Sequence, residues 1–187
     1  MTKRLELRGR RVLVTGASSG LGLELATQLA RDHGANLVLV ARRRERLEAL
    51  ALELSSKYAV SVRVIAADMT SAADVDRVVH ESTADGELYG AILNAGVTYF
   101  GHALELRDDA LEAMVATNLT STVKLTNAIA KDFLARGTHG ALMIVSSVGG
   151  VAPLPFQAAY AASKAFLNSY TQAVSYTHLR AHETVLD

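Results

Sequence analysis

Apolar positions along the chain fall into two alternating patterns. Short, continuously apolar, β-branched runs read as buried strands: Arg11–Thr15, Asn36–Ala41, Val60–Ala67, Leu88–Leu93 and Ala141–Val145. Between them lie longer stretches with apolar residues three or four apart, which predict amphipathic helices. Leu21, Leu25 and Leu29 mark one from about Leu21 to His33, closed by Gly34. Leu47, Leu50, Ala51 and Leu54 mark a second over Arg44–Lys57. Ser71 caps a third through Val75, Val78 and Val79, with Asp74 as its capping-box partner. A long helix is predicted from about Asp108 to Ala135, and another from Gln157 to about Ala173.

Strands without polar alternation need cover on both faces, and helices between them supply it. The predicted fold is therefore α/β, a doubly wound parallel sheet with ligands bound beyond the carboxyl ends of its strands. No repeat, low-complexity tract or linker divides the chain, so one domain is expected. The only two prolines, Pro153 and Pro155, share one loop.

Composition narrows the function classes. The 187 residues are half hydrophobic and carry 19 basic and 19 acidic side chains. That balance gives no electrostatic case for nucleic acid or a membrane surface. With no cysteine there is no thiol nucleophile or thiolate metal site, and the six histidines lack ligand spacing, so no metal is expected. The basic N-terminus has no apolar run behind it, and no segment reaches the roughly 20 apolar residues of a membrane span. A cytoplasmic protein is the expectation.

Chemistry concentrates at the strand ends. The first strand runs into Thr15-Gly16-Ala17-Ser18-Ser19-Gly20-Leu21-Gly22 and then a helix. Glycines there let the backbone turn and approach a pyrophosphate seated on free helix N–H groups. Gly16, Ser18, Ser19, Gly20, Leu21 and Gly22 are thus candidate cofactor contacts. Where a ribose-binding carboxylate is common, 20 residues beyond Gly22, the chain has Arg42-Arg43-Arg44. Guanidinium forks suit a 2′-phosphate, which favours NADP(H), with Arg42 first and Arg43 second. Asn94-Ala95-Gly96 ends the fourth strand. Ser146-Ser147 ends the fifth, and Tyr160-Ala-Ala-Ser163-Lys164 follows. Tyr160 and Lys164 project from one helix face, where an ammonium favours the phenolate and fits the phenol for acid–base work.

TGASSGLG, NAG, a helical Asn118, Ser147 thirteen residues before Tyr160, and YAASK together resemble the short-chain dehydrogenase/reductase family, from about Leu7 to Ala173. The resemblance implies a Rossmann fold, an oxidoreductase and a hydride exchanged between NADP(H) and a carbonyl or secondary alcohol. It implies that Tyr160 donates the proton to the carbonyl oxygen and that Ser147 hydrogen-bonds that oxygen. Lys164 would lower the Tyr160 pKa and bind the nicotinamide ribose, and Asn118 would hold a relay water. Asp68, beside Met69, would meet the adenine, while Asn94, Ala95 and Gly96 would line the cofactor. Ser146 and Ser163 are read as structural neighbours. Val97–Leu104 and Gly149–Phe156 are expected to border the substrate, and a homo-oligomer is expected.

After the Tyr160 helix the chain departs from the family pattern. A sixth strand, a Pro-Gly loop and a seventh strand are expected to be missing. The residues from Val174, VSYTHLRAHET onward, resemble a translated sequencing-library adapter, so 1–173 is expected to be the dinucleotide-binding domain and 174–187 a non-native tail. An epimerase or dehydratase, a non-catalytic NADP-binding module and an inactive fragment remain as alternatives.

Overall fold

In a computed structural model of the chain, residues 5–175 are described. Five parallel strands form one sheet in the order β3-β2-β1-β4-β5, the arrangement of a Rossmann-like fold. They are β1 (Arg11–Thr15), β2 (Asn36–Ala41), β3 (Val62–Ala66), β4 (Leu88–Leu93) and β5 (Ala141–Ile144). The helices are α1 (Gly20–His33), α2 (Arg44–Tyr58), α3 (Ala72–Thr83), α4 (Asp108–Met114), α5 (Ser121–Arg136) and α6 (Ala158–Val174).

The period of two along β1 divides the core. Val12 and Val14 face α1 and α2, packing with Leu37 and Leu39 of β2 and with Ala26, Leu29, Leu47, Leu50 and Leu54. Leu13 faces the other way, with Val38, Val40, Ile65, Leu88, Ala91 and Leu93, beneath Val75 and Val78 of α3 and Leu125, Ile129 and Phe133 of α5. Each fully buried leucine in these layers contributes about 1.5–3 kcal/mol relative to exposure. β1, β2 and β4 are buried on both faces, which is why their sequences run continuously apolar. β3 and β5, expected as buried strands, instead stand outermost among the described strands and are partly open, with Arg63 and Met143 exposed.

Strand and helix ends move by one or two residues from expectation, as ladder geometry fades there. Ala67 and Val145 lie outside β3 and β5 yet still donate N–H bonds to Ala41 and Leu93. Two corrections have a specific cause. Ser71 caps α3 by accepting from the Asp74 N–H at 3.2 Å, but the Asp74 carboxylate turns to the Asp68 N–H at 2.7 Å instead of closing the box. The single helix expected over Asp108–Ala135 is interrupted by a π-helical stretch, Val115–Thr120. The segment from Val174 divides: Val174 is the last residue of α6, and 176–187 lie outside the described residues.

No described helix is long and apolar enough to cross a membrane.

Candidate active site and dinucleotide cleft

Parallel order and crossover direction bring the carboxyl ends of β1, β2, β3 and β4 to one edge, where a cleft of about 350 Å³ opens. Gly16, Ser18, Ser19, Arg42, Arg43, Asp68, Met69, Asn94, Ala95 and Gly96 all line it, so most sequence-selected binding residues converge. Val97, expected to border the substrate, also lines it, as do Thr70 and Thr117, which were not selected.

The glycine loop is held from below by β4. Thr15 Oγ1 accepts the N–H groups of Asn94 and Ala95, each at 3.0 Å, and Asn94 Nδ2 donates to Thr15 O at 3.0 Å. Gly16 adopts φ +71°, in the left-handed region that a side chain disfavours. A Cβ on Gly22 would fall on Gly16 O and 2.6 Å from Asn94 Nδ2. The glycines therefore let α1 start against the loop, with no acidic side chain in its first turn. This cradle fits a nucleotide pyrophosphate: a helix N-terminus with free N–H groups, approached by backbone without side chains. Leu21 is exposed, and Met69 sends its side chain into the core, leaving backbone to face the cleft.

The two arginines after β2 behave differently. Arg43 donates to Ser18 Oγ at 2.9 Å and Ser19 Oγ at 2.7 Å, pinning the loop. Arg42 is exposed on the cleft wall.

The polar cluster at the β4 and β5 ends is buried. Asn118 is fully buried, and its Oδ1 accepts the Val97 N–H at 2.8 Å. Its Nδ2 donates to Val97 O at 2.9 Å and to Ser163 Oγ at 3.1 Å. Both amide hydrogens are thus donated to protein atoms. Ser163 Oγ in turn donates to Tyr160 O at 2.7 Å, tying Asn118 to α6. The π-helical stretch re-aims the chain there, placing Asn118 inward within an otherwise amphipathic helix.

Lys164 is 5 % exposed, and its Nζ donates to Val145 O at 2.8 Å. The same Nζ lies 5.8 Å from the Tyr160 ring centroid and 3.6 Å from where a Gly96 Cβ would stand. Burial holds its pKa below the usual lysine range. Tyr160 is half-buried on the same face of α6. Ser147 caps the turn Val148–Gly150, its Oγ accepting from Gly149 N–H at 3.2 Å. That turn packs on α6, with Gly150 against the Lys164 backbone and Asn168. Ser146 Oγ donates to Lys164 O at 3.3 Å.

The two loops expected to border a substrate meet through Phe156. Its ring lies 5.7 Å from Phe100 and 5.3 Å, edge-on, from His102, while Phe156 O accepts the Gly101 N–H at 2.9 Å. Gln157 Nε2 donates to Thr98 Oγ1 at 3.4 Å.

The chain matches the short chain dehydrogenase family over residues 10–183. It belongs to that family. This short-chain dehydrogenase is 36% identical over 177 residues to a very-long-chain 3-oxoacyl-CoA reductase of Meyerozyma guilliermondii, covering 90% of this chain and 52% of that protein. It superposes on a short-chain dehydrogenase from Sphingobium yanoikuyae in complex with NADPH with a TM-score of 0.86 and 36% identity, covering 90% of this chain and 65% of that one. A bulky-bulky ketone specific alcohol dehydrogenase from Comamonas testosteroni gives a TM-score of 0.85 and 34% identity, covering 89% and 66%. The chain spans about half the length of the curated relatives it matches. The short-chain dehydrogenase match continues past Ala173, where the sequence pattern was expected to end.

Proposed function

We propose that this chain carries the NADPH-dependent carbonyl-reducing centre of a short-chain dehydrogenase, acting on a hydrophobic ketone or its secondary alcohol. The observation that carries the reading is the buried Lys164 ammonium, held by Val145 O, 5.8 Å from the Tyr160 ring and against the Gly96 wall of the cleft.

In reduction, Tyr160 Oη donates its proton to the substrate carbonyl oxygen, and Ser147 Oγ–H hydrogen-bonds the same oxygen. Lys164 stabilises the phenolate left behind, and solvent returns the proton. NADPH, when bound, would supply the hydride for this reduction. Gly16, Gly20 and Gly22 with the α1 N-terminus would hold its pyrophosphate, Arg42 its 2′-phosphate, and Asp68 and Met69 its adenine side. Asn94, Ala95 and Gly96 would flank its nicotinamide half. Asn118 acts here as a brace between the Val97 backbone and α6, through Ser163. The rim formed by Phe100, His102 and Phe156 supports a hydrophobic substrate, as do the bulky ketone of the Comamonas relative and the 3-oxoacyl-CoA of the yeast relative.

Tyr160→Phe tests the reading. Reduction of an aryl ketone should fall about 10²–10⁴-fold, because the proton donor is gone. NADPH affinity, read by fluorescence titration, should hold within about twofold, since the phosphates are untouched. Retained turnover would move the proton donor elsewhere. NADPH binding without turnover in the unaltered chain would instead favour a non-catalytic binding module.

A further inference from the structure

Ser147 sits just beyond β5, and the chain is tied to α6 on either side of it. Upstream, Val145 O accepts from Lys164 Nζ at 2.8 Å, and Ser146 Oγ donates to Lys164 O at 3.3 Å. The neighbouring strand holds this side too, since the Val145 N–H donates to Leu93 O at 3.0 Å. Downstream the chain folds into the Val148–Gly150 turn. There the Gly150 N–H donates to Ser147 O at 2.9 Å, and the Gly149 N–H to Ser147 Oγ at 3.2 Å. Those two bonds fix where the hydroxyl oxygen points and leave its one hydrogen for another acceptor.

The turn is itself aimed by α6. Asn168 stands four residues after Lys164, one turn further along the same side of the helix. Its Nδ2 donates to Gly150 O at 2.9 Å, across 18 residues of sequence. A Cβ on Gly150 would fall 2.7 Å from that nitrogen and 2.9 Å from Lys164 C and O. Glycine is what lets the turn come this close. Among the described residues, no other α6 side chain hydrogen-bonds the turn. Asn168 does not line the cleft, so whatever it does for the chemistry it does through other groups.

We infer that Asn168 is a positioning residue for carbonyl reduction: by holding Gly150 O it sets the aim of the Ser147 hydroxyl relative to Tyr160. This rests on the reading of Ser147 and Tyr160 as donors to one carbonyl oxygen and adds the residue that registers the first against the second. A donor aimed at the developing oxyanion is worth about 10²–10³-fold in kcat, and displacing it by about 1 Å forfeits much of that. Asn168 belongs to none of the motifs in the sequence, because its partner is a backbone carbonyl.

The test is a double-mutant cycle in the 187-residue chain, with NADPH and an aryl ketone. Ser147→Ala should lower kcat about 10²–10³-fold. Asn168→Ala should lower it about tenfold, with NADPH affinity held within about twofold. Asn168→Leu, which keeps the volume without the donor, should match Asn168→Ala. Added to Ser147→Ala, Asn168→Ala should change kcat by less than about twofold, because the group it aims is gone. The pH midpoint of kcat should not move in Asn168→Ala, since Lys164 keeps its anchor on Val145 O. Amide exchange supplies an arm that needs no turnover. The Gly150 and Val151 N–H groups, bonded to Ser147 O and Val148 O, should exchange at least about fivefold faster in both Asn168 variants. Leu13 and Val38, in the core, should be unchanged and so report an intact fold.

Multiplicative losses in the double variant would overturn the inference and leave the catalytic reading standing. Unchanged exchange at Gly150 and Val151 would do the same, as would a fully active Asn168→Leu protein. A shifted pH midpoint would overturn it by placing the effect on the Tyr160–Lys164 pair. NADPH binding without turnover in the unaltered chain would overturn the catalytic reading and this role together.

Discussion

At the scale of single residues, two neighbouring arginines divide one task. Arg43 spends its guanidinium on Ser18 and Ser19, so its charge is anchored over the glycine loop. Arg42 stands exposed on the cleft wall and is available to an incoming phosphate. Arg42→Asp should therefore lower the NADPH/NADH affinity ratio by about one to two decades, through lost charge-assisted bonds and added repulsion. Arg43→Met should weaken both cofactors together, because it loosens the loop that either must use. Titration of the two variants with both cofactors checks this, and a selective loss of NADPH in Arg43→Met would reverse the assignment. The order of the two arginines could be read from their place after β2. Their division of labour could not, since it depends on serines 24 and 25 residues away in the chain. Ser163 shows the same limit: it was legible only as a neighbour of Lys164, and its link to Asn118 spans 45 residues.

At the scale of elements, what the sequence announces depends on whether burial period changes. β1, β2 and β4 end where their apolar runs end, since both faces of each strand are covered. The π-helical stretch at Val115–Thr120 was invisible because one extra residue per turn leaves the apolar stripe nearly continuous. Helix ends are uneven in the same way. Gly34 and Gly137 close α1 and α5 at φ +60° and +62°, as glycine at this position commonly does. Ala59 closes α2 at φ +54°, where its Cβ is strained against the backbone, and it is exposed. Ala59→Gly removes that strain without losing packing, while adding some freedom to the unfolded chain. The net gain should be about 0.5–1 kcal/mol, or about 1–4 °C in Tm for a protein of this size. A lower Tm in a thermal melt would mean that the alanine relaxes out of the left-handed region in solution.

At the scale of the whole molecule, the two ends of the sheet carry opposite kinds of polar structure. The carboxyl end is an open cleft. The amino end is cross-tied by charge: Arg11 at the start of β1 pairs with Asp85 and, at 2.6 Å, with Glu87, and Arg63 of β3 reaches Asp85 at 2.9 Å. Since the order is β3-β2-β1-β4, this cluster spans four strands and fixes the entry to β4. Burial alone would raise the Asp85 pKa, but hydrogen bonds from Arg63, Arg11 and the Glu87 N–H, with the Arg11 charge, hold it at about 2. A carboxylate lowered on folding binds its proton more weakly in the native state. Its contribution to stability is complete above the unfolded value near 3.8 and is lost as pH falls through about 2. Urea midpoints of the unaltered chain and of Asp85→Asn, measured from pH 2 to 6, should therefore be furthest apart near pH 5–6 and converge toward pH 2. Added salt should narrow the gap at pH 6, because the cluster is partly open to solvent. A gap that stays constant across this range would show that Asp85 holds the sheet edge by shape and neutral hydrogen bonding instead of by charge.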